Sequence, residues 1–270
     1  MHTDWLIPDW PAPRGVNAVF TTRVGGLSDG PYESMNLGTH VGDMPESVAA
    51  NRALLQRANG TRAVFLNQVH GSKVLRLDAH TADGEQADAC VTTQRKLACT
   101  IMVADCLPVL LTREDGAVVA AAHAGWRGLA GVGQGATAGV LEAFFKVFSA
   151  SVQSTRLSSA IKTIAWLGPC IGPSAFEVGP EVKAAFENTH PDASRCFICA
   201  GEGKYLADLA GLARLRLKAL GVTQIYGNDS SADWCTVGNP SRFFSHRRDA
   251  GSTGNGFHTT GRMAACIWRD

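Results

Sequence analysis

Apolar stretches of strand length follow one another through the first half of the chain, with short polar turns between them. VNAVFTTR (16–23) is the first, and the spacing of Val, Ala and Leu in ESVAANRALLQRA (46–58) predicts a helix after it. Six further strand-like segments lie between residues 63 and 123: AVFLNQVHG, KVLRL, ADACVTT, ACTIMVADC, PVLLT and AVVAAAH. Because most of them need no helix in between, we expect antiparallel or mixed sheets.

The second half alternates helical and strand-like patterns. Helices are predicted at TAGVLEAFFKVFSA (137–150), at GPEVKAAFEN (179–188), and at the amphipathic YLADLAGLARLRLKALGV (205–222), which Gly221 stops. TIAWL (163–167) and MAACIW (263–268) are predicted strands. There is no internal repeat and no low-complexity linker, so we predict a single α+β domain over residues 1–270.

Charge and composition exclude several classes of partner. The chain has 25 Lys and Arg against 24 Asp and Glu, so it has no overall field to attract nucleic acid or an anionic membrane. No run of about 18 apolar residues predicts a transmembrane helix, and the first residues lack the pattern of a secretory signal. The eight cysteines include four within apolar strand-like runs, which favours a reduced, cytoplasmic protein.

One apolar run, TIMVADCLPVLLT (100–112), is interrupted by an acid, a thiol and a proline. Proline cannot donate to a strand ladder, so Pro108 predicts that the preceding strand ends or bulges at Cys106. His70 and His123 each close an apolar strand in the same way. Neighbouring strand ends lie about 5 Å apart, which allows these three side chains to meet. Read singly, each is also typical of a core cysteine or a structural histidine.

If the three side chains converge, two imidazoles and one thiolate have the composition of an open catalytic zinc site. Copper is the rival, because the same trio with an axial Met forms blue-copper centres. Met102 lies about 13 Å from Cys106 along an extended strand, which favours zinc. The eight histidines form no His-x-His pair, so a multicopper cluster is not expected. Asp105 is predicted either to orient a histidine or to cap the next turn.

Nine blocks of sequence, spread in order over the chain, resemble one family. They are FTTRVGG (20–26), YESMNLGTHVGD (32–43), NQVHG (67–71), ADCLPVLL (104–111), HAGWRG (123–128), GPCIGPSAFEVG (168–179), YLADLAGLARLRLKALGV (205–222), FFSHRRD (243–249) and TGRMAACIW (260–268). On these blocks the chain resembles the YfiH family, also called the laccase-domain or polyphenol oxidase family.

The resemblance implies a fold and an activity. The fold is an α+β four-layer α/β/β/α sandwich with mixed sheets, shared with bacterial deamidating toxins. A metal, usually zinc, is bound by residues that match His70, Cys106 and His123. The implied activity is purine nucleoside phosphorolysis of adenosine, inosine and methylthioadenosine, with adenosine deaminase activity in the same site. We therefore expect nucleosides and phosphate as ligands, and a monomer or a homodimer.

The chemistry of these reactions suggests roles for further residues. Deamination needs a carboxylate to move a proton, and Asp105 is the candidate beside the trio. Phosphorolysis needs an anion clamp, which the guanidinium groups of Arg23, Arg127 and Arg247 suit. Asn36 and Gln68 lie in matched blocks and are candidates to contact the ribose or the base. Two features depart from the family pattern: His246 stands where Tyr is common, and segment 249–262 is several residues longer.

Three other functions remain open from the sequence. One is a metal-free hydrolase in which His123 activates Cys106 as a nucleophile on an amide, such as a peptidoglycan precursor. Some bacterial members of the family are similar to amidases of this kind. Another is a copper-dependent polyphenol oxidoreductase. The third is a metal-binding or protein-binding module without catalytic activity.

Overall fold

The computed structural model describes residues 2–132, 138–151, 162–250 and 259–270. Its strands are β1 (Val16–Phe20), β2 (Arg62–Phe65), β3 (Val74–Arg76), β4 (Ala89–Thr92), β5 (Leu97–Val103), β6 (Leu107–Arg113), β7 (Val119–Ala124), β8 (Thr163–Leu167), β9 (Glu177–Val178), β10 (Phe197–Gly201), β11 (Lys204–Ala207), β12 (Gln224–Gly227) and β13 (Met263–Arg269). Its α-helices are α1 (Pro45–Asn59), α2 (Trp126–Ala130), α3 (Val140–Ser149), α4 (Pro180–Glu187), α5 (Leu209–Ala219) and α6 (His246–Asp249).

Two mixed sheets form the centre of the molecule. The four-stranded sheet has the order β1-β13-β5-β2, and the six-stranded sheet has the order β12-β8-β6-β7-β4-β3. Pairing is antiparallel in the middle of the larger sheet and parallel at both ends, where β12 meets β8 and β3 meets β4. A small antiparallel sheet, β10-β11-β9, lies apart from them. The prediction of mixed sheets is confirmed.

The side chains of β5 show how the layers are stacked. Cys99, Ile101 and Val103 belong to the core between the two large sheets. Ala98 and Met102 belong to the core on the outer face, together with Leu55 of α1. On the far face of the larger sheet, α3 and α5 supply Phe144, Phe148 and Leu212. Because both faces of each large sheet are covered, the central strands β5, β6 and β7 are buried at every position. The four-layer α/β/β/α sandwich is confirmed.

The predicted helix over 205–222 begins later in the structure. Residues Lys204–Ala207 form β11, which pairs with β10 and β9, so tertiary pairing overrides the helical spacing of this segment. Asp208 then caps α5, because its carboxylate accepts a hydrogen bond from the backbone N–H of Gly211 at 2.8 Å. Gly221 has φ of 84° and ends the helix as predicted.

The turn around Cys106 also differs from the prediction. Strand β5 ends at Val103, and Cys106 lies in the turn before β6. Pro108 is inside β6, opposite His123. A proline is tolerated there because the β6–β8 pairing begins only at Val109, so no hydrogen bond of that ladder needs the N–H that Pro108 lacks. Asp105 has φ of 88°, so the chain is not extended there.

Within the described ranges, no helix combines the length and the apolar character needed to cross a bilayer.

Candidate metal centre

The predicted trio lies where the chain passes between the two large sheets. His70 is on the connection from β2 in the smaller sheet to β3 in the larger one, and Cys106 is on the connection from β5 to β6. His123 lies on β7, which is the neighbour of β6. Two separate crossings and one adjacent strand therefore bring the three side chains together at the seam between the sheets.

The structure places the three donor atoms within 4.8 Å of one another. The Sγ atom of Cys106 lies 3.6 Å from Nε2 of His70, and the two imidazole rings have centroids 4.7 Å apart. No other group of three His, Cys, Asp or Glu side chains meets this spacing in the part of the chain that the structure describes. The convergence predicted from the strand ends is therefore present in the fold.

Glycines of the HAGWRG segment make this close approach possible. A Cβ atom on Gly125 would lie 2.6 Å from Cδ2 of His70 and 3.0 Å from Sγ of Cys106. A Cβ atom on Gly128 would lie 2.8 Å from the carbonyl oxygen of Gly71. Distances below 3 Å require the neighbours to move, so a side chain at either position would push the connections apart.

A buried carboxylate, Asp88, organises the centre. Its Oδ1 accepts hydrogen bonds from Nδ1 of His123 and from the backbone N–H of His70, both at 2.9 Å. Its Oδ2 accepts from the backbone N–H groups of Gly71 at 2.7 Å and Val69 at 3.3 Å. Asp88 therefore fixes the His70 turn and occupies Nδ1 of His123, which leaves Nε2 to face Cys106 or a bound metal.

Sequence analysis missed Asp88 and assigned this kind of role to Asp105. The signal was an acid placed directly before the buried strand β4, in ADACVTT. Asp105 instead accepts hydrogen bonds from Oγ1 of Thr236 at 2.5 Å and from the backbone N–H of Arg247 at 2.6 Å. The alternative prediction, in which Asp105 caps the following turn, also differs from the structure, because both partners are distant in sequence.

The charges of the trio support one another. Burial raises the pKa of Cys106, but the charge of His123 and hydrogen bonds from both histidines outweigh it and lower that pKa to about 6. Burial lowers the pKa of His123, but the Cys106 thiolate and Asp88 raise it to about 9. In the metal-free protein, the site therefore holds a thiolate beside an imidazolium near neutral pH.

This pairing predicts a pH profile for thiol reactivity in metal-free protein. Alkylation of Cys106 by iodoacetamide should be half-maximal near pH 6 in the folded state and near the ordinary thiol value of about 8.5 after unfolding in guanidinium chloride. Mass spectrometry of the Cys106 peptide measures both profiles. Equal midpoints would contradict the ion pair.

The same two pKa shifts make the stability of the metal-free protein depend on pH. The folded pKa of Cys106 is depressed, so the thiolate's contribution to the free energy of unfolding is lost as the pH falls through about 6. The folded pKa of His123 is raised, so the imidazolium's contribution to the free energy of unfolding is lost as the pH rises through about 9.

The residues present fit a metal ion. Cys106 offers a soft thiolate, and Asp88 occupies the other ring nitrogen of His123, as carboxylates do for metal-bound histidines. Three protein donors beside an open cavity match catalytic zinc sites, in which a fourth position is left for water or substrate. The same donors also bind copper.

The trio lies on a cavity of about 450 Å³. Part of its lining is apolar and comes from Trp126, Ile171, Phe176 and Leu209. Another part is polar or charged and comes from His40, Gln68, Asp105, Arg127, His246, Arg247 and Arg262. A cavity with one apolar side and a few cationic groups suits a small ligand that has a flat aromatic part and an anionic part.

Three of the predicted substrate-binding residues line this cavity. Arg127 and Arg247 are exposed there. Gln68 is also on the lining, but its amide is bonded to both backbone groups of Met102, at 2.7 and 2.8 Å. Arg127 is thus available to a ligand, and Arg247 offers only the N–H groups left over by its bonds to the carbonyl oxygens of Ala175 and Glu177. The amide of Gln68 is mainly engaged in holding β5.

The other two predicted residues lie outside the cavity. The Arg23 guanidinium donates to the carbonyl oxygens of Glu33 and Pro240, both at 2.9 Å, in a separate surface depression. Asn36 is fully buried and bonds the backbone of Gly38 and Arg262. These placements correct the expectation that Arg23 and Asn36 contact substrate. Segment 249–262, singled out for its length, includes residues 251–258, which lie outside the described ranges.

Two mixed sheets packed face to face, with a His-Cys-His group at their seam that could hold a metal ion, define the class of domain. Residues 17–270 match the family described as "Multi-copper polyphenol oxidoreductase laccase". The chain belongs to this laccase-domain family, the YfiH family.

Relatives and solved structures support the assignment over the full length. The chain is 45% identical to "Purine nucleoside phosphorylase YfiH" of Escherichia coli over 97% of this chain and 98% of the relative. It is also 45% identical to a purine nucleoside phosphorylase of Pseudomonas aeruginosa, with 98% of both chains covered. A crystal structure from Neisseria meningitidis is similar, with a TM-score of 0.86 and 44% identity over 99% of this chain and 100% of that one.

Proposed function

We propose that this chain is a purine nucleoside phosphorylase that also deaminates adenosine, at a metal held by His70, Cys106 and His123. Adenosine, inosine and methylthioadenosine are the proposed substrates. The observation that carries the proposal is the His-Cys-His cluster on a half-apolar, half-cationic cavity. The names of relatives that match nearly the whole chain support it.

The cavity lining suggests how the chain binds its substrates. The apolar residues Trp126, Phe176 and Ile171 offer surface for a purine ring, which packs well against aromatic and aliphatic groups. Arg127 and Arg247 present guanidinium groups to phosphate oxygens. This arrangement would hold a nucleoside and phosphate at once and exclude part of the water between them.

Zinc bound by the trio would act as a Lewis acid and lower the pKa of bound water to about 7. Asp88 would keep His123 in one tautomer and orientation throughout the reaction. Asp105, 8% exposed on the cavity wall, would carry a proton between water and the base during deamination. In that reaction, water oxygen replaces the C6 amino group, which leaves as ammonia.

The eight cysteines are free thiols, which supports the expected cytoplasmic location.

The assay uses metal-loaded protein with each nucleoside, in the presence and absence of phosphate. The expected products are the free base and ribose 1-phosphate (or its methylthio analogue) with phosphate, and inosine from adenosine without it. Chromatography separates all of these. If no base and no inosine form from any of the nucleosides, the proposed function is wrong.

A second function is favoured by the thiolate–imidazolium pair of Cys106 and His123, which is the arrangement of a Cys/His nucleophile. A metal-free hydrolase acting on an amide, such as a peptidoglycan precursor, would use it. Cleavage of such an amide after chelation of metal, together with no turnover of nucleosides, would select this alternative.

A copper polyphenol oxidoreductase is less well supported. In the described ranges, one His-Cys-His group has metal-binding spacing, whereas a multicopper oxidase needs further copper ligands beyond such a group.

A further inference from the structure

Arg262 lies on the cavity lining directly before β13, and neither the metal centre nor the predicted phosphate clamp includes it. Its Nη1 atom donates to the carbonyl oxygens of Thr260 at 2.9 Å and Gly261 at 3.2 Å. Its Nε and Nη2 atoms donate to no partner among the residues that the structure describes. Neither atom is among the buried polar atoms that lack a hydrogen-bond partner. The guanidinium is thus held at one nitrogen and free at two others.

The backbone of Arg262 is held by a buried amide. Oδ1 of Asn36 accepts hydrogen bonds from the backbone N–H groups of Arg262 and Gly38, both at 2.9 Å. The carbonyl oxygen of Arg262 accepts from the backbone N–H of Leu37 at 3.0 Å. Asn36 is fully buried, so these bonds are shielded from water.

The side chain of Arg262 packs against Gly38, where a larger residue would not fit. A Cβ atom on Gly38 would lie 2.8 Å from Cγ and 3.2 Å from Cβ of Arg262. Glycine at this position therefore leaves the space that the arginine stem occupies. Asn36, Gly38 and Arg262 form one unit, built from two matched blocks that lie more than two hundred residues apart.

The Arg262 guanidinium also lacks a paired anion. Within the described ranges, no carboxylate oxygen lies within 4.0 Å of it, although the charges of Cys106 and Asp105 act on it from nearby. Arg247, by contrast, donates both terminal nitrogens to the carbonyl oxygens of Ala175 and Glu177. A partly buried cation that has free donors and no directly paired carboxylate among the described residues is favourable when a ligand supplies the anion.

We propose that Arg262 binds the phosphate that attacks the nucleoside, and that Asn36 and Gly38 are the positioning residues that aim it. This inference rests on the proposed function. In the step it serves, an oxygen of hydrogen phosphate forms a bond to C1′ of the ribose. The bond from C1′ to the purine nitrogen breaks with its electron pair on the base. The proton of hydrogen phosphate passes to the purine, which leaves as the free base with ribose 1-phosphate.

The test compares Arg262→Gln, Arg262→Lys and Gly38→Ala in metal-loaded, full-length protein. Arg262→Gln should raise the KM for phosphate by about 10- to 100-fold, because hydrogen bonds to a charged group are lost. Its KM for nucleoside and its phosphate-independent deamination should change far less. Arg262→Lys keeps the charge but loses the fork, so its effect should be intermediate. Gly38→Ala should resemble Arg262→Gln although the arginine is retained.

Arg57→Gln is the matched control, since it removes the same charge from an exposed position on α1. Thermal denaturation of each variant shows whether it is folded. An unchanged phosphate KM in folded Arg262→Gln or Arg262→Lys would overturn the inference. So would a parallel loss of deamination and phosphorolysis in both variants, because this indicates a structural role.

Failure of the proposed function is recognised separately. If wild-type protein phosphorolyses no nucleoside, the phosphorylase part of the proposed function is wrong, and calorimetric titration with inorganic phosphate then tests Arg262 directly. Binding to wild type that is lost in Arg262→Gln would support an anion site at this residue. No binding to wild type, or equal binding to both, would overturn it.

Discussion

Replacement of Cys106 with alanine is expected to remove the bound metal and nearly all nucleoside turnover. The thiolate is the one anionic donor of the trio, and two neutral imidazoles bind zinc much more weakly than two imidazoles and a thiolate. The loss of activity should exceed the roughly 10- to 100-fold effect of changing a group that only supports a ligand. Wild-type protein purified without chelators should carry about one equivalent of metal by elemental analysis, and the variant almost none.

Cys199→Ala is the matched control for Cys106→Ala. Cys199 is exposed on β10, and it is not one of the grouped side chains. The control should keep both metal and activity. A full equivalent of metal in Cys106→Ala would show that the ion binds elsewhere. Wild-type protein without metal, but with a Cys106-dependent amidase activity, would favour the hydrolase.

Asp88→Asn is expected to weaken both the metal centre and the fold. The two carboxylate oxygens of Asp88 together accept four hydrogen bonds, so either orientation of an asparagine amide points its NH2 group at two donors. Leaving buried donors without partners should lower the free energy of unfolding by roughly 2–4 kcal/mol. The tautomer of His123 would no longer be fixed, and the affinity for zinc should fall by about 10- to 100-fold.

Two measurements check this result. Competition with a chromophoric chelator gives the zinc affinity, and denaturant unfolding of metal-free protein gives the stability. Asp9→Asn removes one carboxylate charge at an exposed position and should change neither value. Wild-type zinc affinity in Asp88→Asn would mean that the carboxylate stabilises the turn but does not orient the ligand.

Much of the fold could be predicted from the sequence because the large sheets are covered on both faces. Strands such as β5 and β7 are buried at every position, and apart from Thr100 and His123 their residues are apolar, which is a strong signal even without alternation. The segment YLA at the start of 205–222 carries no such signal. Its side chains suit a helix as well as a strand, and pairing with β10 and β9 decided the outcome.

The donor trio could be predicted because each member closes or follows an apolar strand. The carboxylate could not be assigned in the same way. Asp88 and Asp105 both sit among apolar residues, and only the crossing of the chain between the sheets shows which one faces His123. Local sequence does not contain that three-dimensional information.

Some polar residues of the matched blocks hold the backbone of the fold, and others have donors that a ligand could reach. Asn36 and Arg23 have hydrogen-bonding side chains that suit a ligand, but both side chains form hydrogen bonds with the backbone of neighbouring loops. Arg262 also lies in a matched block, but nothing in its sequence neighbourhood distinguishes it from a surface arginine. Its free nitrogens are visible only in three dimensions.

Strand β13 lies between β1 and β5, with Arg269 opposite Val16 and Met263 opposite Val103. During synthesis on the ribosome, β1 and β5 emerge long before β13. The edges of β1 and β5 that pair with β13 therefore stay unpaired until β13 has been made. Closure of the smaller sheet is therefore a late event that joins distant parts of the chain, and such events are slow. During this delay the nascent protein presents unpaired apolar strands, so we expect its yield in cells to depend on chaperones and on temperature during synthesis.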